Sequence, residues 1–476
     1  MSLHHSKFLF NFFFFSLAIS PLCRAQQAEQ FEKRILVDRL EDPWNIIYGP
    51  DDHLWVTESK SYKVLRINPE NGKRRTVLDV SKDKNFERSK NKPWPQGGLM
   101  GMALHPQLLL GFPYIYVAYV HEYIESQGED APIGNQGNYF KTKLVRYTYD
   151  QQDHTLSDPQ VITDTIPGSN DHNGGRMLIS HIDGDYYLIY SVGDMGAGQY
   201  QNAARNNHAQ DTNYYEGKIL RFNLEPNEEG SWIPKDNPYG NEKKTAVWSI
   251  GVRNTQGLVA ISIEGKDIIY GSDHGPFSDD EINIIARRTN YGHPLIIGYA
   301  DGNYDGLAAG VTDRNELPGI WNTTYPQINN EKEMSLKLQN FKEPIHSFYP
   351  LDQTSLMDIL KKESSGESAD WESVAHSGIA AYSSEAIPYW QHSLLVTSLN
   401  QGCLYRLKLS KDGQKVEKVS KLFEAAVRYR DVAVSPDGLK IYLITDNSEK
   451  TSGPSEENPQ NLKDKGAVIE YRYKDQ

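Results

Sequence analysis

The chain has 476 residues, 24% of them charged, and a formal net charge of −13. That length is too great for one small domain and fits one large all-β domain. The acidic balance argues against nucleic acid and anionic membranes as partners, although a basic pocket can sit within an acidic surface.

The first element is a targeting segment. His4, His5 and Lys7 precede an apolar run from Phe8 to Ile19, and Cys23-Arg24-Ala25 offers a small residue for cleavage. The run is too short to span a bilayer. Residues 1–25 are therefore expected to be a secretory signal peptide, and residues 26–476 an exported domain, periplasmic or secreted. Bulky Leu22 argues against a lipoprotein site at Cys23, and no other stretch is long and apolar enough to cross a membrane. Cleavage removes Lys7 and Arg24, which takes the net charge to −15 and leaves Cys403 as the only cysteine. No internal disulfide is then possible, so the fold must rest on its core and on metals.

Along the rest of the chain one pattern recurs: a polar turn, a short run rich in Tyr, Ile, Val and Leu, then Gly or Asp. It appears at 49–58, 111–120, 183–194, 264–275, 389–402 and 435–447. "VLRINPENGK" and "KILRFNLEP" supply hairpin-style partners. Six such units without strong helical periodicity predict an all-β, six-bladed β-propeller, with a pair of β-sandwiches as the alternative. Long polar inserts interrupt the pattern at 80–95, 121–142, 196–216, 300–340 and 351–374. In a propeller such inserts cluster over one face and build a site above the central channel. The Ser-, Glu- and Pro-rich stretch 446–464 reads as a loop between strands.

The loop "PGSNDHNGGRM" (167–177) displays Asp171 and His172 among turn-forming residues. A histidine there can take a proton from a substrate hydroxyl if a carboxylate holds its ring. Asp194, after the following strand in "SVGDMG", is the better orienting group, because the side chain of adjacent Asp171 normally points elsewhere. The alternative is an exposed loop histidine without a role. In "GVRNTQG" and "RYRDV", Arg253, Arg428 and Arg430 lie beside strands, and alternation puts 428 and 430 on one side. They suit a ligand with carboxylates, or structural ion pairs with Asp431 or a neighbour.

Oxygen-rich turns suggest calcium. "DGNYDG" (301–306) begins like an EF-hand loop, but Thr312 stands at the twelfth position and no helices flank it, so the EF-hand is rejected. Asp279, Asp280 and Glu281 lie a short way upstream, and the backbone carbonyls of Gly275 and Pro276 could also hold a cation. An acidic solvated turn is the alternative.

Taken in order, "QGGLMGMALHP", "DHNGGRM", "GKILRFNL", "IPKDNP", "GVRNTQGL", "GPFSDDEINII", "NYGHP" and "RYRDVAVSPDG" resemble the soluble sugar dehydrogenases that use pyrroloquinoline quinone (PQQ). The resemblance covers nearly the whole chain after the signal and implies a six-bladed propeller. It implies that His172 is the general base, Asp194 its orienting partner and Arg253 the arginine beside the reacting quinone carbonyl. It places Gln96, Asp171 and Trp371 near the sugar, and Asn254, Ser373, Arg428 and Arg430 at the cofactor. It assigns the Gly275 and Pro276 carbonyls to a catalytic calcium. A second, structural calcium would be held by Glu281, Tyr291, Ile297, Tyr299, Asp301 and Glu333, partly through backbone oxygens. Two departures stand out: Asn400 replaces a lysine of the cofactor site, and His274 replaces a glutamine.

The activity so implied is oxidation of an aldose at its anomeric carbon to the lactone, with PQQ, Ca²⁺ and an external electron acceptor. A homodimer is the expected assembly. No GxGxxG fingerprint follows a strand, which argues against NAD or FAD. A non-catalytic binding propeller and a calcium-dependent sugar lactonase are the competing classes.

Overall fold

Each recurring unit becomes the turn and second strand of one four-stranded antiparallel sheet, so the six units and the six blades correspond one to one. The computed structural model describes residues 30–87, 94–124, 137, 139–240, 245–312, 314–317, 319–447 and 462–474. The signal segment and residues 448–461 of the loop after Asp446 lie outside the described residues. Blade one comprises Pro43–Tyr48, Leu54–Glu58, Lys63–Ile67 and Arg74–Asp79. The innermost strands of blades two to six are Leu99–Leu104, Met177–Ile182, Thr255–Ile263, His376–Tyr382 and Tyr429–Val434. The hairpin partners foreseen at 64–73 and 218–226 supply the third strands of blades one and three, Lys63–Ile67 and Lys218–Asn223.

The second strands each carry a continuous apolar run for a physical reason: each blade packs against a neighbour on both faces. Leu54–Glu58 and Ser393–Ser398 are buried at every position. Six apolar clusters fill the spaces between successive blades. The ring closes through the N-terminal strand Phe31–Val37, which pairs antiparallel with Val468–Tyr473 and becomes the outer strand of blade six.

A polar clasp crosses the central channel. Arg176 Nη1 donates to Asp431 Oδ2 at 2.7 Å, and the same oxygen accepts from Asn45 Nδ2 and the Ile46 amide. Arg176 Nε donates to the Gln256 carbonyl, so blades one, three, four and six meet at one point. Gly378 must lack a side chain there, since a Cβ would fall 1.9 Å from Asp431 Oδ1.

The inserts gather at the face where the innermost strands begin. The described residues of 80–95 and 351–374 lead into blades two and five, 196–216 joins the second to the third strand of blade three, and the described part of the insert holding 300–340 reaches the same face through Tyr325. The sequence reading took 351–374 as polar loop, yet it holds the helix α2 (Gln353–Ser364), preceded by α1 (Glu331–Lys337). Both helices are capped, by Asp352 Oδ1 accepting from the Ser355 amide and by Asn330 Oδ1 accepting from the Glu333 amide. Leu356, Ile359 and Leu360 of α2 face Phe277, Tyr304 and Tyr325 in a seventh cluster, so the inserts have a core of their own.

Candidate active site at the channel mouth

His172 lies in the connection from blade two to blade three, in the left-handed backbone region at φ 50°. Asn173 fixes this turn: its Oδ1 accepts from the Ser169 amide, and its Nδ2 donates to the carbonyls of Gln96 and Ser169. Gly193 lets the His172 carbonyl approach the end of the next strand, since a Cβ there would lie 2.0 Å from that oxygen. The ring is thereby brought against Asp194, with His172 Nδ1 and Asp194 Oδ1 2.7 Å apart. With Nδ1 donating, Nε2 carries the lone pair. Around it stand Asp171 Oδ1 at 3.6 Å and Gln199 Nε2 at 3.4 Å.

The Asp194 carboxylate is fully buried and accepts five hydrogen bonds. Oδ1 takes His172 Nδ1 and the Gly196 amide; Oδ2 takes His293 Nε2 at 2.9 Å, Tyr325 Oη at 2.9 Å and Asn207 Nδ2 at 3.1 Å. Burial opposes its charge, but the charge and hydrogen bond of His172 and the hydrogen bond of His293 outweigh it, holding Asp194 well below the usual carboxylate range.

Arg253 enters from the connection between blades three and four. Its Nη1 donates to the Gly275 carbonyl at 3.1 Å and the His274 carbonyl at 3.3 Å, and its Nη2 donates to Gln199 Oε1 at 3.3 Å. Burial works against this charge, yet Tyr325, Asp194, Asp171 and Asp273 together raise the guanidinium above its ordinary value. Asp273 fastens the loop from below, accepting the amides of Arg253 at 3.0 Å and Asn254 at 2.6 Å. Asn254 Oδ1 accepts the Gly174 amide, tying this loop to that of His172. Gln96 completes the group: its Oε1 accepts the Asn173 amide and its Nε2 donates to Asp171 Oδ1 at 3.3 Å.

The structure therefore gathers His172, Asp194, Arg253, Asn254, Gln96 and Asp171 at one mouth. Others are placed differently. Arg428 and Arg430 share Asp446, as alternation predicts, but at different depths. Arg430 is 1% exposed and its nitrogens are engaged by both Asp446 oxygens, Gln256 and Ser377. It builds the wall, whereas half-buried Arg428 reaches Asp446 at 3.5 Å and the Leu399 carbonyl at 3.4 Å. Asn400 is exposed on the adjacent turn. Trp371 packs edge-on against Phe277 with ring centres 5.2 Å apart.

The oxygen-rich segments divide in the same way. Asp280 is consumed by structure: Oδ1 accepts the Gly275 amide, while Oδ2 accepts Ser373 Oγ and the amides of Val374 and Ala375. It braces the Gly275-Pro276 turn rather than facing a cavity. Glu281 points to the other side of the strand, accepting the Gly298 amide and Asn283 Nδ2. It stands opposite Asp273 in the sheet register. Burial pushes Asp273 up to about 6, and burial with the Asp273 charge holds Glu281 well above the carboxylate range. Both line a small cavity with Gly275, Pro276 and Ile297. Buried Tyr291 donates to the Ile284 carbonyl, and the Tyr299 carbonyl accepts the Asp301 amide. Glu333 is exposed and pairs with Lys337 along α1. The carboxylate facing the 297–304 loop is Glu331, which accepts the amides of Ile297, Gly302 and Tyr304. Among the described residues, no three His, Cys, Asp or Glu side chains converge as a metal-ligand group.

Sequence reasoning missed Gln199, Asn207, His293 and Tyr325. One signal was available for the acids. Glu58, Asp194, Asp273 and Asp446 all stand at or just beyond the end of a second strand, in "VTE", "SVGD", "GSD" and "ITD". Glu58, Asp273 and Asp446 each hold the segment entering or forming their own innermost strand, and Asp194 holds His172.

Comparison with known proteins places the chain in a family. A solved structure of the PQQ-bound aldose sugar dehydrogenase from Streptomyces coelicolor shares the fold, with a TM-score of 0.60 at 20% identity over 94% of this chain and 99% of that one. The aldose sugar dehydrogenase YliI of Escherichia coli is 25% identical over 87% of this chain and 90% of its own length. Quinoprotein glucose dehydrogenase B of Acinetobacter calcoaceticus is 33% identical over 94% of this chain and 92% of its own. The family model for glucose/sorbosone dehydrogenases matches residues 40–326 and 360–452, across all six blades and the loops that carry His172, Asp194 and Arg253, and the chain belongs to that family.

Proposed function

We propose that the protein is a PQQ- and calcium-dependent dehydrogenase that oxidises an aldose at its anomeric carbon to the lactone, with an external electron acceptor. One observation carries the reading: a buried carboxylate holds His172 by Nδ1 at 2.7 Å and leaves Nε2 at the channel mouth beside Gln199, which Arg253 in turn holds. That is the arrangement of a base which must take a proton from a hydroxyl without leaving its place.

The residues fit both groups. Two buried carboxylates, Asp273 and Glu281, adjoin a cavity that the Gly275-Pro276 turn also lines, and a divalent cation there would relieve their repulsion. Arg253 at the mouth, with Arg428 on the channel wall near Asn400, suits a cofactor with several carboxylates. PQQ, when bound, supplies the two-electron acceptor to which the anomeric hydrogen passes as hydride.

The chain's own groups do the rest. His172 Nε2 takes the proton of the anomeric hydroxyl, and Asp194 stabilises the imidazolium so formed. Gln96, Asp171 and Gln199 offer donors and acceptors for the remaining hydroxyls. Arg253 sets a fixed positive charge where negative charge develops. Residues 1–25 serve as the export leader in this reading; among the described residues no helix is long and apolar enough to cross a membrane.

The test is reconstitution of the metal-free apo-protein with PQQ and calcium, followed by dye reduction across a panel of aldoses. Dye reduction that requires both additions and yields a lactone is expected. Binding of PQQ without turnover of any aldose would favour a non-catalytic propeller.

A further inference from the structure

We propose that His293 is a positioning residue for His172, acting through the carboxylate they share. The inference rests on the reading of His172 as the base. Asp194 stands between two imidazoles, with His172 Nδ1 at 2.7 Å from Oδ1 and His293 Nε2 at 2.9 Å from Oδ2. Both rings are buried, at 6% and 4% exposure.

His293 is anchored independently of Asp194. Its amide donates to the Gly251 carbonyl at 3.0 Å, and its own carbonyl accepts Gln210 Nε2 at 2.8 Å. The ring is thus referenced to the same loop that carries Arg253. A carboxylate held at one oxygen can pivot about its Cβ–Cγ bond; one held at both by fixed groups cannot. Together with Tyr325 and Asn207 on the same oxygen, His293 therefore helps to set the direction in which Oδ1 points, and with it the plane of the His172 ring.

The Nε2 of His293 faces Asp194 Oδ2 and Asn207 Nδ2, and among the described residues its Nδ1 is buried without a hydrogen-bond partner. Tyr325 and Asn207 also donate to Asp194 Oδ2.

The test begins with apo-protein, free of cofactor and sugar. In ¹⁵N-histidine-labelled protein, the His172 Nδ1 proton should give a strongly downfield NMR signal, assigned by its loss in His172→Ala. His293→Phe keeps the ring volume but removes the donor and should broaden or abolish that signal; His293→Gln restores a donor and should recover it. After loading with PQQ and calcium, His293→Phe should lower kcat by about 10–100-fold, the usual worth of a group that orients a reacting one, with KM for the sugar little changed. His293→Gln should regain most of that loss. Should the phenylalanine variant not fold, His293→Leu takes its place. A donorless variant that keeps both the signal and the parental kcat would overturn the proposal, as would a glutamine variant no better than phenylalanine. A parent that oxidises no sugar, while its proton signal still depends on His293, would overturn the enzyme reading and leave the positioning role standing.

Discussion

Blade three and blade four end their second strands with the same residue type, and the two aspartates do opposite work. Asp273 accepts two backbone amides, those of Arg253 and Asn254, and burial pushes it up to about 6. Asp194 accepts one backbone amide and four side chains, two of them imidazoles, and is held well below the carboxylate range although it too is buried. The difference lies in what the following inserts deliver. One repeated slot holds two backbone amides in blade four and two imidazoles in blade three. A propeller can thus acquire chemistry without altering its repeat, by bringing titratable groups to an acid that its sister blades already use for structure.

Replacing the two acids should separate their roles. Asp194→Asn should slow sugar oxidation by about 10²–10⁴-fold, the range for loss of a positioned base, because the amide cannot accept from His172 and His293 together. Its PQQ affinity, read by titration, should stay close to that of the parent. Asp273→Asn should instead act on stability. It leaves one of two buried amides unpaired, at a cost of about 1–3 kcal/mol, and thermal melting of the metal-free protein should show it.

Acid should sharpen the contrast. Asp194 has a depressed folded pKa, so its contribution to stability is present above the unfolded value of about 3.9 and is lost as pH falls below it. The stability gap between the parent and Asp194→Asn should be constant at neutral pH and shrink below about pH 4 in denaturant titrations. A gap that widens on acidification would contradict an ionised Asp194.

Blade five has no acid in this slot: Ser398 ends the strand and exposed Asn400 follows. Asn400→Lys should tighten PQQ binding by about 2–30-fold, the difference between a charge-assisted and a neutral hydrogen bond. Equal or weaker affinity in the variant would place Asn400 outside the cofactor's reach.

The repeat was legible in the sequence because every blade buries its second strand on both faces, which enforces a continuous apolar run. The His172–Asp194 pair was legible because a single short hairpin, Met177–Ile182 and Asp185–Val192, separates its members. His293 and Tyr325 were not, since they reach Asp194 across 99 and 131 residues through inserts whose path no local pattern specifies. Glu333, which the resemblance implies as a calcium ligand, lies exposed on α1, and it is Glu331 two residues earlier whose side chain meets the 297–304 loop. Arg428 and Arg430 share a face, as alternation requires, but alternation carries no depth. The helix α2 did leave a trace, in Asp352 as cap and in Leu356, Ile359 and Leu360 at helical spacing.

The central claim is that His172 takes the proton, and His172→Ala tests it most directly. Parent and variant, each loaded with PQQ and calcium, would be compared for cofactor affinity and for the rate of aldose oxidation. The account predicts unchanged affinity, a rate lower by about 10²–10⁴-fold, and loss in the variant of any acid limb that the parent shows in its pH–rate profile. Oxidation at the parental rate by His172→Ala would contradict it.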